Sequence, residues 1–256
     1  MTLRVTMLGT GTSTGVPVIG CRCAVCTSAD PRNRRLRPGL RLELPEGVAL
    51  VDTPTDLRQQ ALAYGIDRVD AILYTHAHAD HILGLDEVRV FNFRQGVVIP
   101  CYGPASALAA IRRTFAYAFE PGQEGGGKPR IELLPISDAP LPLLGAEVLP
   151  VPVRHGEMEV FGYRIGRFAY VTDVNFVPEE SLRRLAGVEV LVLGALRWRP
   201  HSTHFSIPEA AEVAARVGAR RTLLTHLAHD VDHASPLEEL PPGVELAEDG
   251  QVIELD

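Results

Sequence analysis

Runs of Val, Leu and Ile that stay apolar at nearly every position alternate along this chain with segments whose apolar residues recur every three or four positions. The first pattern suits strands covered on both faces, the second helices covered on one. LRVTMLG, VALVD, AILYTH, VVIPCYG, AEVLPVPVRH, FAYVTD, VEVLVLGA and RTLLTH are the strand candidates. Helices are predicted at Thr55 to Tyr64, Leu85 to Phe93, Pro104 to Phe119, Pro178 to Ala186 and Ile207 to Val217, three of them with proline at or near the first turn. The alternation predicts a layered α/β protein without internal repeats. Glycine and proline cluster around charged residues at Pro121 to Arg130, which reads as an exposed loop, either a plain connector or a lid over a site.

The ends of the apolar runs carry chemistry. VALVD ends in Asp52, AILYTH in His76, VPVRH in His155, FAYVTD in Asp173 and TLLTH in His226. A lone histidine at a strand end is commonly a surface residue, but five runs that each end in a metal-ligand residue type converge on the sheet edge where α/β proteins bind ligands. The second run continues into THAHADH, Thr75 to His81, an H-x-H-x-D-H motif. In extended chain His76 and His78 point the same way, while Asp80 and His81 can turn toward a second point, which suits a pair of metals. A polar turn that is merely rich in histidine is the plainer reading, and the donors at the other strand ends count against it.

This motif, followed by isolated His155, Asp173 and His226, resembles the metallo-β-lactamase superfamily of binuclear metallohydrolases over nearly the whole chain, from GTGTSTGVP to LLTHLAH. The resemblance implies an αββα four-layer sandwich, here one domain over residues 1–256. It gives one metal to His76, His78 and His155, the other to Asp80, His81 and His226, with Asp173 bridging and Asp52 orienting the ligand loop. The pair would be zinc or manganese, since such ligands accept either. His204, in HSTHFS, precedes His226 by 22 residues, a spacing similar to the additional active-site histidine of the phosphodiesterase branch, which includes the tRNA 3′-processing endonucleases. It is assigned as general acid or phosphate contact, and His201 as a solvated loop residue.

GCRCAVC places Cys21, Cys23 and Cys26 within six residues, one donor short of a tetrahedral zinc site. Cys101 lies in a run that reads as buried strand. If His226 faces the metal pair, His229 falls on the next turn and can point outward, completing a closed and therefore structural Cys3His site that staples the cysteine-rich loop, residues 20–40 or so. His233 competes for the fourth place, and three buried or reactive thiols without metal are the bland alternative. GVP followed by GC-x-C-x2-C, with H-x2-H near the C-terminus, resembles the phosphoribosyl cyclic phosphodiesterase branch of the superfamily.

The 256 residues, 46% hydrophobic and 22% charged, suffice for a large core, and a formal net charge of -7 argues against a broad grip on nucleic acid. The start lacks an apolar leader, the longest apolar stretch, Val188 to Leu196, is too short to span a bilayer, and closely packed cysteines suit a reducing compartment, so the expected location is cytoplasmic. Arg32, Arg34, Arg35 and Arg37 read as a solvated loop with one or two ion pairs before they read as a phosphate patch. Thr10, Thr12, Ser13 and Thr14 are expected to line the site, and GTGTSTG lacks the Gly-Lys-Ser/Thr of a phosphate-binding loop for nucleoside triphosphates. The expected function is a binuclear hydrolase that opens small, cyclic phosphodiesters by attack of a metal-bridged hydroxide. The alternatives are an RNA-processing endonuclease, a lactonase or thioesterase, a single-iron oxygenase and a catalytically idle metal-binding protein. The resemblance further suggests a homodimer.

Overall fold

The computed structural model of the protein describes residues 2–121, 127–234 and 240–256. Half of the expected connector or lid at Pro121 to Arg130, residues 122–126, lies outside them. In chain order the elements of the first half are β1 (Leu3–Gly9), β2 (Gly39–Leu44), β3 (Gly47–Val51), α1 (Leu57–Ala63), β4 (Ala71–Leu73), α2 (Ala79–Ile82), α3 (Arg89–Gln95), β5 (Ile99–Gly103), α4 (Ala105–Thr114), α5 (Ala116–Phe119) and β6 (Ile131–Pro135). The second half adds β7 (Leu141–Leu143), β8 (Ala146–His155), β9 (Met158–Ile165), β10 (Phe168–Val171), α6 (Glu179–Leu185), β11 (Val190–Gly194), α7 (Ile207–Val217), β12 (Arg221–Thr225), β13 (Val244–Leu246) and β14 (Val252–Leu255). Two seven-stranded sheets result, ordered β14-β1-β2-β3-β4-β5-β6 and β13-β12-β11-β10-β9-β8-β7.

Each sheet is covered twice. Val5, Met7, Leu40, Leu42 and Leu73 of one sheet meet Tyr163, Tyr170, Val192 and Leu223 of the other in a core between the sheets. The opposite faces bury Ile72, Ile99 and Cys101 against Leu57 of α1, Phe91 of α3 and Ile111 of α4, and Val171, Leu191 and Leu193 against Leu185 of α6 and Ile207 and Val213 of α7. Neighbouring residues of β4 or β11 therefore enter different cores, which is why those strands are apolar throughout instead of alternating. The layers are helix, sheet, sheet, helix, the αββα sandwich expected from the sequence.

Helix α7 has the predicted bounds and opens with a capping box between Ser206 and Glu209. Other elements differ. The predicted Leu85 to Phe93 helix begins as a 3-10 turn, Leu85–Val88, before α3, and the predicted Pro104 to Phe119 helix breaks at Phe115. Strand β2 was not foreseen, because GLRLEL is covered by leucine on one face only and leaves Arg41 and Glu43 partly in solvent, unlike the continuous apolar runs. Among the described residues, no helix is long and apolar enough to cross a membrane.

Candidate metal centre

The site is assembled from strand ends. Asp52 directly follows β3, His76 lies three residues past β4, His155 closes β8, Asp173 lies two residues past β10, and His226 directly follows β12. Asp52, Asp173 and His226 adopt φ of 63°, 45° and 62°. This left-handed conformation is uncommon outside glycine, Asp, Asn and His tolerate it best, and it tends to persist where function holds the backbone. It turns the chain sharply at the sheet edge and throws these three side chains over it. His78 and Asp80 sit at the start of the short helix α2, with His81 inside it.

Two donor sets form. The ligand atoms of His76, His78, His155 and Asp173 lie within 4.8 Å of one another, as do those of Asp80, His81, Asp173 and His226. Asp173 belongs to both and divides its oxygens between them. Its Oδ2 is 3.8 Å from His76 Nε2 and 4.0 Å from His155 Nε2, while Oδ1 is 3.4 Å from His81 Nε2 and 3.1 Å from His226 Nε2. Asp80 Oδ2 lies 3.3 Å from His81 Nε2 and 3.6 Å from His226 Nε2. Burial opposes the charge of Asp173, but the surrounding His226, His81 and His76 outweigh it and hold the carboxyl well below the usual carboxylate range.

Hydrogen bonds behind the donors aim them. Fully buried Asp52 accepts from the Thr75 amide (2.9 Å), the Thr75 hydroxyl (2.8 Å) and His81 Nδ1 (2.7 Å). Thr75 Oγ1 accepts in turn from His76 Nδ1 (3.0 Å), and His155 Nδ1 donates to the Thr203 carbonyl (2.7 Å). With Nδ1 carrying the proton, the Nε2 atoms of His76, His81 and His155 are left bare toward the centre. Asp52 thus bonds both His81 and the Thr75 that carries His76.

The donors suit cations. His76 Nε2, His81 Nε2, Asp80 Oδ2 and both ring nitrogens of His226 are buried with no hydrogen-bond partner. Each such orphan costs about 1–3 kcal/mol, so a converging group of them calls for a ligand, and a His/Asp set of this kind takes divalent metal ions.

His204 stands over the centre, its ring centroid 4.5 Å from that of His155 and 4.8 Å from that of His226, the latter stacked at 19°. Burial, reinforced by His226, pushes its pKa down to about 3, so its imidazole is neutral at pH 7 in the free protein. The His201 ring centroid is 5.3 Å from that of His204, and His201 is exposed. Two of the residues expected to line the site from the first loop, Thr10 and Thr14, turn to other partners. Thr10 spends its amide and hydroxyl on Asp249 Oδ1 (2.8 and 2.7 Å), and the Thr14 hydroxyl bonds the Gly15 carbonyl.

A third cluster joins Cys21, Cys23, Cys26 and His229. The three sulfurs lie 3.4, 3.5 and 3.6 Å from His229 Nδ1. A tetrahedral zinc with its usual bond lengths separates sulfur from nitrogen by about 3.6 Å, so the cage has the right size. The Cys26 amide points at Cys23 Sγ and the Val18 amide at Cys26 Sγ, at 3.4 and 3.3 Å, which favours thiolates. That amide and His229 bring the Cys23 pKa down to about 6, whereas burial pushes that of Cys26 up to about 11. His233 is not in this cluster: it is buried nearby, its amide bound to Asn33. Cys101 is fully buried in β5, as its run suggested.

The arginine run divides. Arg32 pairs with Asp30 (2.7 Å) and Arg37 with Asp56 (2.9 Å), but Arg35 is buried and donates to the carbonyls of Ala228 and Val231 and to Asn33 Oδ1. The solvated reading fails for Arg35 because carbonyls from a segment almost 200 residues away replace its water, a contact with no local signal. Asp249, which ties Thr10 to Leu36, was missed for the same reason.

A family profile described as the beta-lactamase superfamily domain matches residues 49–227. The crystal structure of a new diphosphatase from the PhnP family is 42% identical and superposes with a TM-score of 0.94, over 100% of this chain and 98% of that one. An octanoyltransferase of Porphyromonas gingivalis is 35% identical over 97% of this chain but only 51% of its own length, so the chain spans about half of that relative. A ribonuclease Z of Myxococcus xanthus is 30% identical over 90% of this chain and 95% of its own. The chain therefore belongs to the beta-lactamase superfamily and has the metallo-β-lactamase fold, with a PhnP-family diphosphatase and a ribonuclease Z among its relatives.

Proposed function

We propose that this protein is a phosphodiesterase of small, including cyclic, phosphodiesters. In this reading His76, His78 and His155 hold one divalent cation and Asp80, His81 and His226 a second, both zinc or manganese, with Asp173 shared; Cys21, Cys23, Cys26 and His229 hold a structural zinc. The observation that carries it is the division of the two Asp173 oxygens between two histidine sets, with His204 stacked above them. When bound, such a cation pair lowers the pKa of a water toward neutrality and draws charge from substrate oxygens.

The remaining chemistry belongs to the side chains. Asp52 and Thr203 fix which imidazole nitrogen faces the centre. His204, neutral in the free protein, gains a proton when an anionic phosphate sits beside it and returns that proton to the leaving oxygen. Cleavage of precursor RNA is disfavoured. The 17 residues between His155 and Asp173 are taken up by β9 and β10 and their turns, leaving no arm to grip an RNA, and acidic residues outnumber basic ones by 32 to 25.

A second reading is hydrolysis of a diphosphate linkage, favoured by the 42% identity to a PhnP-family diphosphatase. Both bonds present phosphate oxygens to the cations and leave an oxygen for His204. A panel of bis(p-nitrophenyl) phosphate, a ribose cyclic phosphate, a nucleoside diphosphate derivative, a lactone and precursor tRNA, with zinc or manganese, separates these readings. Metal-dependent opening of the cyclic phosphate supports the proposal, turnover of the diphosphate alone selects the second reading, and turnover of the lactone alone removes phosphorus chemistry altogether.

A further inference from the structure

One of the buried histidines in the two donor sets lacks the support the other buried ones have. His76, His81 and His155 each bond an oxygen through Nδ1, but His226, equally buried, has neither ring nitrogen hydrogen-bonded. Its Nε2 faces Asp80 and Asp173, which leaves Nδ1 without an acceptor. Stacking on His204 and His81 restrains the tilt of the ring, though nothing bonded to the ring fixes where Nε2 lies.

The backbone supplies the restraint. His226 sits at φ 62°, and the residues after it are tied on every side. The Leu227 amide donates to the Thr10 carbonyl (2.8 Å), the Thr12 amide to the Leu227 carbonyl (3.1 Å), and the Ala228 amide to the Leu196 carbonyl (2.8 Å). Arg35 then grips the carbonyls of Ala228 (3.2 Å) and Val231 (2.8 Å), bracketing His229, whose ring meets the three cysteines.

We infer that Cys21, Cys23, Cys26, His229 and Arg35 are positioning residues for His226, so that an ion in the cysteine cage substitutes for the missing hydrogen bond on that ring. This rests on the cation reading above. It assigns to the cage a selective effect. The Asp80/His81/His226 site depends on it, whereas the other set, in which Thr75 aims His76 and Thr203 aims His155, does not.

The test is a pair of metal titrations on the full chain, wild type and Cys23→Ser, with bound ions counted and affinities read by chelator competition and by the absorption of cobalt. The wild type holds one ion at each of the three donor sets; fewer ions would sink the cation reading itself, and this inference with it. In Cys23→Ser the cage ion is lost, one centre ion binds about 10–100-fold more weakly, and the other is unchanged. In a His226→Ala background the same substitution costs the centre no further affinity, because the residue being positioned is gone. Retention of both centre ions at wild-type affinity in Cys23→Ser, or an equal loss from both sites, overturns the inference. Should Cys23→Ser fail to fold, an organomercurial titrated into the folded wild type removes the cage ion directly, since Cys101 is fully buried; the same selective weakening supports the inference and its absence refutes it.

Discussion

The metal centre and the cysteine cage meet on one short segment, His226 to His229, yet they are built in opposite ways. The centre draws its donors from the ends of β4, β8, β10 and β12, strands held in place by both cores, and His204 lies over it. The cage draws three donors from a turn outside any strand, and its four ligands close it. A rigid sheet edge can hold like charges and bare imidazoles close together before any cation binds, at the cost of buried orphan atoms. A loop cannot, so in the cage a bound metal would do the organising. On the proposed function, reactivity would belong with the preorganised edge and stapling with the loop.

Four substitutions probe that contrast. His81→Ala removes a donor aimed by Asp52 and should lower kcat on bis(p-nitrophenyl) phosphate by at least on the order of 10⁴, several kcal/mol of lost stabilisation, with the cage ion still present; near-wild-type turnover would show that the centre is not the reactive region. His204→Ala should slow substrates with poor leaving groups by roughly 10² to 10³ and barely affect p-nitrophenyl esters, whose leaving group needs no proton. Equal slowing of both would remove its role as an acid.

Asp52→Asn keeps the shape but weakens the hold on His81, so ion affinity at the centre should fall about 10–100-fold in chelator competition while the cage keeps its zinc. Loss of the cage ion as well would mean that the two regions are not separately built. The last effect is on stability alone and concerns Asp249, which anchors the loop shared by both regions. Burial raises its pKa to about 6 in the folded protein. Between its unfolded value and 6 the folded chain binds the extra proton, so stability falls as pH rises through that window and levels off above it, by about 3 kcal/mol in all. Comparing urea melts of wild type and Asp249→Asn from pH 4 to 7 should show that slope only in the wild type.

The continuous apolar runs were legible because sheets covered on both faces leave no polar position to confuse the reading, and their last residues named Asp52, His76, His155, Asp173 and His226 directly. H-x-H-x-D-H and C-x-C-x2-C were legible because their donors are local. The half-covered strand β2 was not, since Arg41 and Glu43 dilute its apolar signal. Thr10 misled for a related reason, as proximity along the chain to the sheet edge says nothing about where a hydroxyl turns.

By itself, then, the sequence determined which residue types stand at the strand ends and how they are spaced, because burial periodicity and motif spacing are properties of neighbours. Only the tertiary structure decided that Asp173 divides its oxygens between two sets, that His226 lacks a partner, that Arg35 is buried, and that Asp249 reaches Thr10 across 239 positions. Those outcomes depend on which distant segments pack together, and no local pattern encodes that choice.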